Sequence, residues 1–321
     1  MTPPILVELC AGSAAVSLRW LHPRAKPPIA YQGGKRAYAD RILLAMGLRP
    51  GGGQRSGRVV LVEPGPWGEA WAHWAAGGIP DTVARLRAWA SEDPRALWTR
   101  LKSAPVPAER AERVAVWAVL QFWTHGGAAC SIIDGGGRPG GGLNIGVISG
   151  EAWGACSLDD AADDLQHGPR WRTGGGFNAT EAYAAEYGEG RGEDRTDARL
   201  PAVANSLDVL DVLDVLDVRH ADARTVEPIP GAHVYIDPPY AGTTGYGAAL
   251  PRADVIAMAL RWREAGCTVA ISEAEPLAIP GWHHYEIGAP VGGRRTFSRQ
   301  QREWLTLSRP AVGVLDFGGV A

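Results

Sequence analysis

The stretch His233-Val234-Tyr235-Ile236-Asp237-Pro238-Pro239-Tyr240 leaves this chain little freedom in how it folds. Its apolar run, with Val234 and Ile236 at alternate positions, reads as a buried strand. The prolines end that strand because they cannot donate to a sheet ladder. Asp237 therefore stands at a strand's carboxyl edge, and in open α/β sheets that edge faces the ligand crevice. A carboxylate, two rigid carbonyls and an aromatic ring are offered there together, a set that suits an exocyclic amine on a flat ring. Asp237 and the Pro238 carbonyl can each accept one N–H and draw the nitrogen toward tetrahedral geometry, while Tyr240 stacks on the ring. The ring, not the hydroxyl, is expected to do this holding. The plain alternative is an Asp-Pro turn that ends a strand and does no chemistry.

Other segments fall into place around this edge. Residues 5–9 read as a short buried strand leading into Cys10-Ala11-Gly12-Ser13-Ala14, a turn of small residues that opens a helix. Small side chains let backbone approach a ligand, and a helix start offers free N–H groups. Only Gly12 remains of a GxGxxG pattern, so a dinucleotide enzyme is not indicated. Residues 59–63 form another buried strand, ending in Glu63, which is placed to bind ribose hydroxyls, with Glu8 as its rival. Gly33-Gly34-Lys35 opens an amphipathic helix and is not a P-loop, because the second glycine and the Ser/Thr are misplaced. Lys35 there could hold a carboxylate or a phosphate.

Asp237-Pro238-Pro239-Tyr240 resembles the DPPY motif of DNA amino-methyltransferases, which use S-adenosylmethionine. Glu8 with Ala11-Gly12-Ser13 is similar to the first motif of that family, and Gly33-Gly34-Lys35 to the Gly-Gly-Lys motif of its Dam-like, adenine-N6 branch. The resemblance covers residues 5–63 and 217–310. It implies an α/β fold, a doubly wound mixed sheet of the class I S-adenosylmethionine-dependent methyltransferase (Rossmann-like) type. Residues 1–125 and 200–321 would form the catalytic domain and residues 126–199 an inserted, Gly-rich target-recognition region. Catalysis would fall to Asp237, Pro238, Pro239 and Tyr240, and the cofactor to Glu8, Ala11, Gly12, Ser13, Tyr31, Gly34, Lys35, Glu63 and Asp222. DNA would be held by Arg294, Arg295, Arg299 and Arg302. Asp222 comes after a strand at 216–220 and reads equally well as a turn or cap aspartate.

The motif order departs from the family: Gly-Gly-Lys normally precedes the acidic-plus-Ala-Gly-Ser motif, and here it comes second. Insertion between the first helix and the second strand would still let the two meet in space. Adenine N6 is preferred over cytosine N4 because the tetrad begins with Asp and Gly-Gly-Lys accompanies it. Cytosine-N4 methylation and a non-catalytic nucleic-acid-binding relative are the competing readings. A solitary viral or prophage modification enzyme is compatible with the resemblance.

In the rest of the chain, helical patterns occupy 68–76, 80–91, 108–124 and 252–265, and Trp67, Trp71, Trp74, Trp89, Trp98, Trp117 and Trp123 are expected to fill the core. Further strands are expected at 267–271, 282–287 and 303–307. The Gly-led loop 292–302 carries four of the arginines and reads either as a phosphate-binding element or as a solvated loop. The Leu-Asp-Val repeat over 207–218 looks like a tandem duplication and lacks the pattern of a calcium loop. A net charge of −3 excludes a broadly basic surface, so any DNA contact must come from local arginine clusters. Cys10, Cys130, Cys156 and Cys267 show no CxxC pairing, so buried thiols are expected, with neither metal nor disulfide. No run approaches the roughly 18 apolar residues of a membrane span, and a cytoplasmic protein is expected. The oligomeric state is left open, with a monomer preferred.

Overall fold

The computed structural model describes residues 3–23, 25, 27, 35–53, 57–123, 158, 162, 165, 213, 215–240, 250–288 and 302–312. Among these residues, seven strands form one sheet: β1 (Ile5–Leu9), β2 (Arg58–Val62), β3 (Leu216–Arg219), β4 (His233–Ile236), β5 (Thr268–Glu273), β6 (His283–Gly288) and β7 (Glu303–Leu307). Their order is β3-β2-β1-β4-β5-β7-β6. The first five are parallel, and β7 runs antiparallel to both β5 and β6. The fold is therefore α/β with a mixed, mostly parallel sheet, consistent with a Rossmann-like arrangement. Central parallel strands are covered on both faces, which is why β1, β2, β4 and β5 read as near-continuous apolar runs.

The two faces are unequally covered. Leu6, Leu61, Tyr235, Ala270 and Leu305 point into a large cluster with α1 (Ala15–Leu21), α2 (Ala39–Ala45), α3 (Pro66–His73), α4 (Ile79–Trp89), α5 (Pro94–Ser103) and α6 (Arg110–Trp123). Val7, Leu9, Val62, Val234 and Ile271 face α7 (Arg252–Glu264), which buries Val255, Met258, Ala259 and Trp262 against them. Gly266, at φ 80°, ends α7 in the left-handed conformation that glycine adopts without penalty.

Sequence-expected boundaries differ from the structure in informative ways. The helices expected at 68–76 and 80–91 are joined by a wide π turn, Trp74–Gly78, where any Cβ on Gly78 would lie 2.2 Å from the His73 ring. Helix α5 was not anticipated; Asp93 caps it by accepting the Ala96 N–H at 2.8 Å, with Pro94 in the first turn. Trp67, Trp71, Trp74, Trp98 and Trp117 are buried as expected, and Trp67 and Trp117 meet edge to face with centroids 4.9 Å apart. Trp89 is only half-buried, and the Trp123 side chain lies outside the described residues. Cys267 is buried but Cys10 is only half so, because it sits at the open end of β1 rather than within it. Of the expected insertion at 126–199, only Leu158, Ala162 and Leu165 are described, all packed into the helix-rich cluster.

Candidate active site

β1 lies between β2 and β4, so the chain leaves β1 toward one edge and later returns to its other side. The carboxyl ends of β1 and β4 thus flank the point where strand order reverses, where open α/β sheets leave a ligand crevice.

At the end of β1 the backbone turns through three left-handed residues: Cys10 (φ 57°), Gly12 (φ 47°) and Ala14 (φ 54°). For Cys10 and Ala14 this costs on the order of 1 kcal/mol each, and neighbours hold the turn in place. The Gly12 N–H donates to Glu63 Oε2 at 3.0 Å, and the Trp71 indole N–H donates to the Gly12 carbonyl at 2.9 Å. The other Glu63 oxygen accepts the Gly65 N–H at 3.0 Å, so one carboxylate ties the β1 turn to the β2 turn. Gly68 lets α3 start close by, since a Cβ there would lie 1.9 Å from the Glu63 carbonyl oxygen. Burial raises the Glu63 carboxyl, against the lowering effect of its two N–H donors.

Glu8 is 2% exposed and turns to the helix side of the sheet, where it accepts the Ser17 N–H at 2.8 Å. The start of α1 is therefore not left free as the sequence suggested; a buried carboxylate from the adjacent strand takes its N–H. Desolvation pushes Glu8 up to about 7. Ala11 and Ser13 are buried beside this turn.

At the end of β4, the Asp237 N–H donates to the Leu9 carbonyl at 3.2 Å, which continues the β1 pairing one step past the strand. Lys35 Nζ lies 2.8 Å from Asp237 Oδ1, so the lysine of the Gly-Gly-Lys motif reaches the Asp-Pro-Pro-Tyr motif. Lys35 sits in a 3-10 turn, Lys35–Ala37, and the helix expected to open there begins instead at Ala39. Lys35 is 5% exposed and turns inward rather than toward solvent. Its ammonium also stands 4.7 Å from the Tyr240 ring centroid, in cation–π range. Burial raises the Asp237 carboxyl and Lys35 opposes the rise. Pro238 is buried and Pro239 half-buried.

Sequence reasoning missed Glu303. Its carboxylate accepts the Tyr240 hydroxyl and lies 3.8 Å from Lys35 Nζ. Burial pushes it up to about 7, partly offset by Lys35. The signal was available: in a strand over 303–307, an acid at 303 shares the face of Leu305 and Leu307, both fully buried. The same alternation places Tyr235 and Ser272 on that face, with their hydroxyls 2.8 Å apart. A polar stripe thus crosses β1, β4, β5 and β7 on the helix-rich side.

The remaining expected residues are distributed differently. Asp222 caps the 3-10 turn Ala223–Thr225 by accepting the Arg224 N–H, and both its oxygens engage the Arg224 guanidinium, which holds its carboxyl below the usual range. Arg302 is exposed and pairs with Glu286 at 3.0 Å. Tyr31, Gly34, Arg294, Arg295 and Arg299 lie outside the described residues. Among the described residues, no group of three or more His, Cys, Asp or Glu could hold a metal ion, and no helix is long and apolar enough to cross a membrane.

Chemically, the β4 edge offers a carboxylate and a ring face to an N–H donor, and the β1 edge offers a braced turn beside an acid. Compared with known proteins, the chain matches no family model and no curated protein.

Proposed function

We propose that the protein is an S-adenosylmethionine-dependent DNA methyltransferase acting on the N6 amine of a flipped-out adenine. The observation that carries this reading is Asp237, set at the carboxyl end of β4 beside the β1 turn, with Pro238, Pro239 and Tyr240 next in the chain and Lys35 against it. The mixed, doubly wound sheet supports the class I fold type that the motif resemblance implies.

The donor set at the β1 edge fits the cofactor. Each Glu63 oxygen takes one backbone N–H and retains lone-pair capacity for ribose hydroxyls, and the adjoining turn is built of small residues. Ala11, Gly12, Ser13 and Glu63 would hold it, and when bound it supplies an electrophilic methyl group. Asp237 accepts an N–H of the target amine, orients its lone pair and meets the positive charge that develops on nitrogen. Tyr240 stacks on the base and offsets part of the few kcal/mol that extrusion from the duplex costs. Asp222, committed to Arg224, would have to exchange that partner to reach a cofactor's adenine.

Calorimetric titration with S-adenosylmethionine, then methyl transfer to mixed DNA and long-read sequencing, tests the reading. Modified adenine in a fixed context supports it; modified cytosine replaces it with the N4 reaction. A folded protein that binds DNA but neither the cofactor nor a methyl group is the non-catalytic relative.

A further inference from the structure

Glu303 has no role in the chemistry above, yet it meets both Tyr240 and Lys35. It opens β7 on the same sheet face as Asp237, with its side chain 12% exposed. Its Oε1 accepts the Tyr240 hydroxyl and stands 3.8 Å from Lys35 Nζ, which itself is 2.8 Å from Asp237. One ammonium is thus flanked by two carboxylates, and one ring is held by both its face and its hydroxyl.

A target amine needs an open Asp237 oxygen and an open face of Tyr240. Lys35 stands against both, bonded to the carboxylate and 4.7 Å from the ring centroid. It therefore competes with an entering amine for that oxygen and that ring face, and a buried ammonium that shifts away needs another anion to receive it. Glu303 is an anion within reach that does not require Lys35 to pass into solvent. Resting on the methyl-transfer reading, we propose that Glu303 is a positioning residue, which receives Lys35 from Asp237 as the substrate amine arrives and holds the Tyr240 ring by its hydroxyl.

The groups facing Glu303 make this exchange sensitive to protons. Lys35 faces it from the 3-10 turn, Asp237 and Tyr240 from beyond β4, and Ser272 from β5, with Tyr235 behind Ser272. Burial pushes its carboxyl up to about 7. Below that pH Glu303 is neutral and Lys35 stays with Asp237. Above it, Glu303 is charged and competes for the ammonium. Methyl transfer should therefore gain efficiency as pH rises through neutrality.

The chain has three lysines, Lys26, Lys35 and Lys102, so side-chain carbon labelling of lysine gives three NMR signals, assigned by Lys35→Met. The Lys35 signal of the wild type should shift with a midpoint near pH 7, and this step should vanish in Glu303→Gln. In parallel, wild-type kcat/KM for methyl transfer should rise about tenfold between about pH 6 and 8. Glu303→Gln should flatten that limb, and Glu303→Asp should restore part of it. A wild-type Lys35 signal without a step near neutrality overturns the proposal with no variant required. So does a Glu303→Gln enzyme that keeps both the step and the limb, while leaving the methyl-transfer reading intact. A wild type that shows the step but neither binds S-adenosylmethionine nor transfers methyl overturns that reading, and the positioning role falls with it.

Discussion

The two strand ends that flank the crevice are held by different means. At β1, a backbone in three left-handed residues is fixed by the Gly12 N–H, which donates to Glu63, and by the Trp71 indole N–H, which donates to the Gly12 carbonyl. At β4, two carboxylates compete for one ammonium, and the ring beside them is tied to one of the competitors. The first arrangement is stiff and stores strain in a fixed shape, as ligand cradles do. The second has two electrostatic solutions of similar kind, which suits a group that must rearrange when a substrate enters.

If this contrast is right, removing the β4 carboxylate should affect chemistry and little else. Asp237→Ala is expected to lower methyl transfer by about a thousandfold or more, leaving cofactor affinity within a few-fold, because the lost interaction acts on charge that develops in the transition state. Wild-type turnover in this variant would remove Asp237 from the mechanism. The next largest effect lies on the β1 side and concerns stability. The Glu8 carboxyl titrates near 4.5 when unfolded and about 7 when folded, so the folded protein loses stability as pH rises between those values, and the loss is complete above 7. Glu8→Gln lacks that loss. It should match the wild type near pH 4 and exceed it by about 3 kcal/mol above pH 7, read from urea unfolding at each pH. A constant difference across the range would mean Glu8 stays ionised when buried.

Smaller effects sharpen the contrast further. Trp71→Phe keeps a ring in the aromatic cluster but leaves the Gly12 carbonyl without its donor, at a cost of about 2 kcal/mol in stability. Cofactor affinity should fall with it while the pH profile of transfer keeps its shape; a changed profile would show that the two edges are coupled. The smallest change is Tyr240→Phe. The ring was expected to act without its hydroxyl, but that hydroxyl is donated to Glu303. Losing it should raise KM for DNA by about tenfold or less while the ring still stacks. An unaltered KM would return the hydroxyl to irrelevance.

The parts of the molecule legible in the sequence are those where the physics is local. The strands β1, β4 and β7 could be read because their apolar runs are bounded by turns, and Asp237 because the two prolines after it force the strand to stop there. Glu63 at the end of β2 was legible for the same reason. Side-chain partnerships between distant segments were not: nothing near Glu303 in the chain announces Lys35 or Tyr240. The left-handed turn was hidden because two of its members, Cys10 and Ala14, are not glycines, so their conformation is imposed by packing rather than by preference. Helix α5 was missed because its short apolar set, Leu97, Trp98 and Leu101, is interleaved with charge, although Asp93-Pro94 marked its start.

The hydrogen bond from Gly12 to Glu63 spans 51 residues, and every partner of that brace lies between β1 and α3. Lys35 and Asp237, by contrast, come together only once β4 has docked beside β1 across the whole intervening chain. Contacts of long sequence separation form late, because loop closure must be accomplished before they stabilise anything. A chain leaving the ribosome should therefore complete the β1 brace well before it brings Lys35 to Asp237. If the proposed function is right, a cofactor present during synthesis would meet a half-built protein that can grip it and cannot yet use it.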